Sequence, residues 1–150
     1  MPIVAADILF KHSVTTGPGN STAQSDPNLS LGEFISTTQI TDATLHNLFD
    51  VVTGDENAAS DVEYRCIFVH NAHATLTLLG PVVWISAETA GGAAAAISVD
   101  TTAASAIGSA AAQAKEVVNE GTAPTAQTFS SPTTKATGLA MSDIPAGQCK

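Results

Sequence analysis

The sequence predicts an all-β protein, a β-sandwich of jelly-roll or immunoglobulin-like type, with one short α-helix near residues 42–53. Three observations predict it. About seven short runs rich in alternating or β-branched residues recur at intervals of roughly eight to twelve residues. Gly, Pro, Thr and Ser fill the connections between them. Only one segment has helical periodicity, which disfavours a parallel α/β sheet with its many crossover helices. A chain of 150 residues, 44% of them hydrophobic, makes one domain with enough interior to fold without metals or disulfides. Residues 1–30 read as an N-terminal strand and a flexible arm, and 31–150 as the sandwich domain.

The elements follow in order. Ile8-Leu9-Phe10 marks a strand within 3–14. Residues 15–30 (TTGPGNSTAQSDPNLS) are a loop or arm by their density of turn formers. LGEFISTTQI (31–40) is a second short strand. Leu45, Leu48, Phe49 and Val52 fall at i, i+3, i+4, i+7 and make one helical stripe, with Thr41 or Asp42 as its cap and Gly54 as its stop. So short a helix is stable only when docked on something apolar. DENAASD (55–61) is an acidic loop. VEYRCIFVH (62–70) is the strongest strand, with Val62, Tyr64, Cys66 and Phe68 on one face and Glu63, Arg65, Ile67 and Val69 on the other. Asn71-Ala72-His73 turns it into ATLTLLG (74–80) as a hairpin. Pro81 cannot donate to a ladder, and VVWIS (82–86) continues as a strand or bulged extension.

The later signals are weaker. TAGGAAAAISVD (89–100) holds a turn and a strand around Ala95, Ile97 and Val99. Residues 101–114 read as loop, because Gly108 and dense Thr and Ser outweigh the alanines. AKEVVNE (114–120) is a short strand, and TAPTAQTFSSPTT (122–134) a proline-bounded strand or turn. In GLAMSDIPAGQCK (138–150) Leu139 and Met141 alternate inward, then DIPAG turns. That turn either leads into a strand outside this sequence, pairs with a strand from a neighbouring chain, or closes the domain.

Composition narrows the function classes. Five Lys and Arg against fourteen Asp and Glu give a net charge of −9, and Arg65 is the sole arginine. Nucleic-acid and anionic-membrane binding need clustered cations and are excluded as expectations. The charged fraction is only 13%, while Ala (26), Thr (19) and Ser (13) supply over a third of the chain. Such a surface is polar without being charged. It suits close lateral packing in an assembly, or it reflects an alanine-rich source genome. No apolar run reaches membrane-spanning length, and the start lacks the basic region of a secretion signal, so synthesis in a cytoplasm is expected. Cys66 and Cys149 match no metal or redox spacing, and the default for Cys66 is a buried, reduced thiol.

No reaction chemistry emerges. Of His12, His46, His70 and His73, only the last two are close in sequence (HNAH), and zinc needs further ligands. A turn histidine bonded to a backbone carbonyl is the expectation. Asp55, Glu56, Asp61 and Glu63 lack the spacing and central glycine of a calcium loop, and read as solvated surface. GxSxG, Walker A and GxGxxG motifs are all missing. Tyr64 and Trp84 sit in strand contexts and read as core. The expectation is a non-enzyme with no catalytic residue, cofactor or metal.

Several stretches carry a resemblance: LGEFISTTQI, TLHNLFDVVTGDE, DVEYRCIFVHNAHATLTL with VVWIS, then TAPTAQTFSSP and LAMSDIPAGQ. Together they resemble small virion structural proteins of tailed bacteriophages, similar in style to capsid decoration (cement) proteins. The resemblance implies a β-sandwich or jelly-roll domain on the outer capsid surface. Its partners would be the major capsid protein and copies of itself, as a possible homotrimer. In that group DIPAG leads into a further strand, whereas this sequence stops at Lys150. The acidic charge fits an outward-facing layer, since a layer against packaged DNA tends to be basic. Ile8, Phe10, Leu29, Leu31, Phe34 and Ile35 are the candidate shell or inter-subunit contacts, set against the alternative that they fill the domain's own core. Other readings are a neck, tail or fibre component, or a carbohydrate-binding surface module.

Overall fold

The computed structural model describes residues 1–88 and 93–150. The turn expected at 89–92 lies outside them. The chain is all-β. Its strands are β1 (Ile8–Val14), β2 (Phe34–Gln39), β3 (Ile67–Asn71), β4 (Val82–Val83), β5 (Ser105–Ala106), β6 (Leu139–Ala140) and β7 (Gln148–Cys149). One antiparallel sheet has the order β2-β1-β3-β7-β5, and β4 and β6 form a separate ribbon. β1 runs between β2 and β3 and is the longest strand, which its uninterrupted apolar and β-tolerant run permits. Its register against β3 is regular, from Ile8 opposite Asn71 to His12 opposite Ile67. Against β2 the register slips between Lys11 and Ser13. There the buried Ser36 hydroxyl accepts from Thr38 N–H (3.1 Å), so the Ser-Thr-Thr run turns on itself locally.

Alternation along β3 divides the interior in two. Phe68 packs with Ile35 and Cys149, flanked by Cys66, Ile107 and Ala114. Val69 points the other way, to Met141 and Ile144, flanked by Ile8, Leu78, Val83, Val99 and Ala104. One face of the sheet is thus covered by irregular chain and the other by the region of the β4–β6 ribbon. Gly32 sits where a side chain has no room, with φ +84° and a Cβ position 2.5 Å from the Lys115 carbonyl.

Several local expectations are corrected. The segment 42–53 is turns, and the α-helix is α1 (Gly54–Ala59) immediately after it. Ala43 and His46 take φ of +55° and +57°, which no right-handed helix accommodates. The expected stripe does not dock as one face: Leu45 is 82% exposed. Gly54, expected as a stop, is the first helical residue, and Thr53 is the cap. Thr53 Oγ1 accepts from Glu56 N–H (3.3 Å) and the Glu56 carboxylate accepts from Thr53 N–H, a reciprocal capping box. Most of the expected acidic loop is therefore helix.

The expected 62–80 hairpin does not form, because β3 pairs with β1 and β7. Leu78 instead exchanges both backbone bonds with Ile144 (2.9 and 3.0 Å). AKEVVNE is not a strand; its backbone bonds are scattered, from Ala114 N–H to the Glu33 carbonyl (2.9 Å), from Val117 N–H to the Leu31 carbonyl (2.7 Å) and from Tyr64 N–H to the Glu120 carbonyl (2.7 Å). The residues after DIPAG do form a strand. β7 lies between β3 and β5, and Lys150 exchanges bonds with Val69 (2.7 and 2.9 Å).

Candidate interaction surfaces

Ser13, Ser30, Asn71 and Gln113 are buried and serve the backbone. Ser13 of β1 and Ser30, just after the Pro27–Leu29 turn, both donate their hydroxyls to the Cys66 carbonyl (2.8 and 2.7 Å) at the entry to β3. Gln113 substitutes for a strand partner at the β2 edge: its Oε1 accepts from Ile35 N–H (3.0 Å) and its Nε2 donates to the Ala106 carbonyl (2.8 Å). Asn71 Nδ2 donates to the carbonyls of Leu76 and Ile144 (both 2.8 Å). These bonds give the Ile35 N–H and the carbonyls of Cys66 and Leu76 partners, and add a second donor to the Ile144 and Ala106 carbonyls.

Lys11, His70 and Cys149 share one side of the sheet, yet they form no reactive centre. Burial lowers the Lys11 ammonium, with Cys149 opposing, and its Nζ donates to Asn20 Oδ1 (3.0 Å). Burial, then Lys11, lowers the His70 imidazole below its ordinary value, so it is neutral near pH 7. Burial pushes the Cys149 thiol up to about 11 and the Cys66 thiol up to about 12. Both cysteines are free, and thiols held that high are protonated and poor nucleophiles.

A charged knot lies at the entry to β3. The Arg65 side chain, 1% exposed, donates from Nη2 to Glu63 Oε2 (3.0 Å) and Asn28 Oδ1 (2.7 Å) and forms an ion pair with Glu120 Oε2 (3.1 Å). Its guanidinium carbon stands 5.4 Å from the centroid of the Phe49 ring. Nothing in the sequence marks this knot beyond the solitary arginine amid acids, because its members come from four separate stretches.

The six candidate contact residues part company. Phe34 and Ile35 are buried in the chain's own core, Ile8 packs beside Val69, and Leu31 is half-buried. Phe10 and Leu29 remain exposed. His70 and His73 do not converge. His73 Nδ1 accepts from Thr75 and Leu76 N–H (3.1 and 3.0 Å), which leaves Nε2–H to donate to the Met1 carbonyl (3.1 Å). His12 is buried, and burial lowers its pKa. Tyr64 meets Phe129 edge-on (centroids 5.3 Å apart). Trp84, expected in the core, is 39% exposed. Among the described residues, no three His, Cys, Asp or Glu converge to hold a metal ion, and no helix is long and apolar enough to cross a membrane.

No protein-family model matches this chain, and no curated protein or solved structure matches it either.

Proposed function

We propose that the chain is a structural protein of a bacteriophage virion, a decoration protein that reinforces the head from outside by bridging shell subunits. The observation that carries this reading is the surface. Leu45, Val51, Val52, Leu79 and Val118 are large apolar side chains left mostly in water on a chain with few charges. Exposed apolar groups of that number suit a protein whose working state is packed against others. The net charge of −9 supports an outward-facing place, and the resemblance in stretches such as LGEFISTTQI and LAMSDIPAGQ supports the particle. The role is mechanical: whatever binds only the assembled shell stabilises it by mass action. A carbohydrate-binding role rests on one exposed ring, Trp84, and is the weaker reading.

The test is addition of the purified protein to empty phage heads, followed by calorimetry and copy counting. The expected result is saturable binding on the order of hundreds of copies, with a higher melting temperature of the heads. A count limited to one ring of copies would move the protein to the neck or tail. No binding to heads would overturn the proposal.

A further inference from the structure

We infer that the face around Arg65 docks a protein surface presenting lysine or arginine beside a large apolar side chain. The Arg65 knot gathers Asn28, Phe49, Glu63 and Glu120, and Asn28 Nδ2 reaches Asp50 Oδ2 (3.4 Å). Next to these residues along the chain stand Leu29, Val51, Val52 and Val62, each more than half exposed. Burial of Arg65 leaves its charge turned inward, toward Glu63 and Glu120. The carboxylates outnumber it. Burial raises the Glu63 pKa and Arg65 opposes this, while Asp50, Glu120 and Glu56 are all close enough to raise it further. The face is therefore apolar tips set among surplus negative charge.

Charge complementarity selects the occupant. A second copy using the same face brings carboxylates against carboxylates, which opposes docking. Of its four lysines, Lys11, Lys115 and Lys150 already donate to groups of their own chain, and Lys135 is one cation against several carboxylates. Nucleic acid is repelled by the same carboxylates. A basic, apolar protein segment satisfies both features of the face, the apolar part supplying contact area and the cations supplying steering and register. The inference concerns the partner's chemistry and stands apart from the virion reading, so either can fail alone.

The probe is a short fluorescent peptide of alternating lysine and leucine, compared with a lysine–serine peptide of equal charge. Fluorescence anisotropy should show salt-sensitive binding to the full chain, about tenfold weaker for the lysine–serine peptide. Val51→Ser with Val52→Ser should weaken the lysine–leucine peptide by about tenfold, while Leu79→Ser leaves it unchanged. Val62→Ser, read beside circular dichroism, guards against a folding defect in the double variant. Equal binding of the two peptides, unchanged binding by the valine variants, or no binding would each overturn the inference. So would self-association in sedimentation velocity that the valine variants abolish, which would give the face to a second copy.

Discussion

β3 and the stretch 41–53 are both rich in large apolar residues, and they meet opposite fates. In β3, Phe68 is 1% exposed and finds Ile35 and Cys149, while Val69 finds Met141 and Ile144. Every one of those partners comes from a distant part of the chain. In 41–53, Leu45, Phe49, Val51 and Val52 stay in water, and the backbone turns left-handed at Ala43 and His46. Burial is thus decided by what arrives from elsewhere, not by the apolar content of the segment. Phe68 to Asn71 of β3 are buried in the fold, whereas in 41–53 Phe49 meets Arg65 while Leu45, Val51 and Val52 stay more than half exposed.

Three changes bear on that comparison, in falling order of effect. Phe68→Ala removes a ring at the centre of one core and should cost about 3–5 kcal/mol, whereas Leu45→Ser should shift stability by no more than about 0.5 kcal/mol. Urea unfolding measures both; a comparable loss in the two would erase the distinction between the regions. Gln113→Ala strands the Ile35 N–H, whose acceptor is this side chain, while the Ala106 carbonyl keeps its bond from Ser109 N–H (2.9 Å); the change should cost about 1–3 kcal/mol. If its unfolding midpoint equals that of the parent, the glutamine is not a strand surrogate.

The smallest effect is that of pH on the buried histidines. His12 and His70 are held below their ordinary values by burial, aided at His70 by Lys11. Below about pH 6.5 the unfolded chain takes up protons that the folded chain refuses, so stability falls as the pH drops. Above about pH 6.5 both states leave these rings neutral and the contribution is constant. Denaturant midpoints across that range should decline toward acid, and His12→Asn with His70→Asn should flatten the decline. A profile that is level in the parent would contradict the burial of neutral imidazoles.

The two strands at one edge of the sheet were legible because their signal is local. Ile8–Val14 and Phe34–Gln39 carry contiguous apolar and β-branched residues, and turn formers bound them. The helix is misplaced because the apolar surface that the Leu45–Val52 stripe requires must come from distant chain, which local periodicity does not reveal. The better signal was present as Thr53-x-x-Glu56, a capping box. The hairpin failed because strand pairing is a long-range choice: β3 prefers β1 and β7, and Leu78 finds Ile144. For the surfaces, the parity of Cys66 and Phe68 was legible, and the knot around Arg65 was not. Asn71 and Gln113 look like ordinary polar residues in the sequence, and only the backbone groups left open by irregular chain reveal their work.

The place of β7 bears on how the molecule comes together. Sheet order puts it between β3 and β5, so Cys149 is the bridge by which the β1–β3 strands reach β5. A nascent chain can assemble β1, β2 and β3 early, yet the seam to β5 stays open until residues 148–149 leave the ribosome. During that interval the edge of β3 that β7 will cover is open, and an open strand edge is a template for pairing with other chains.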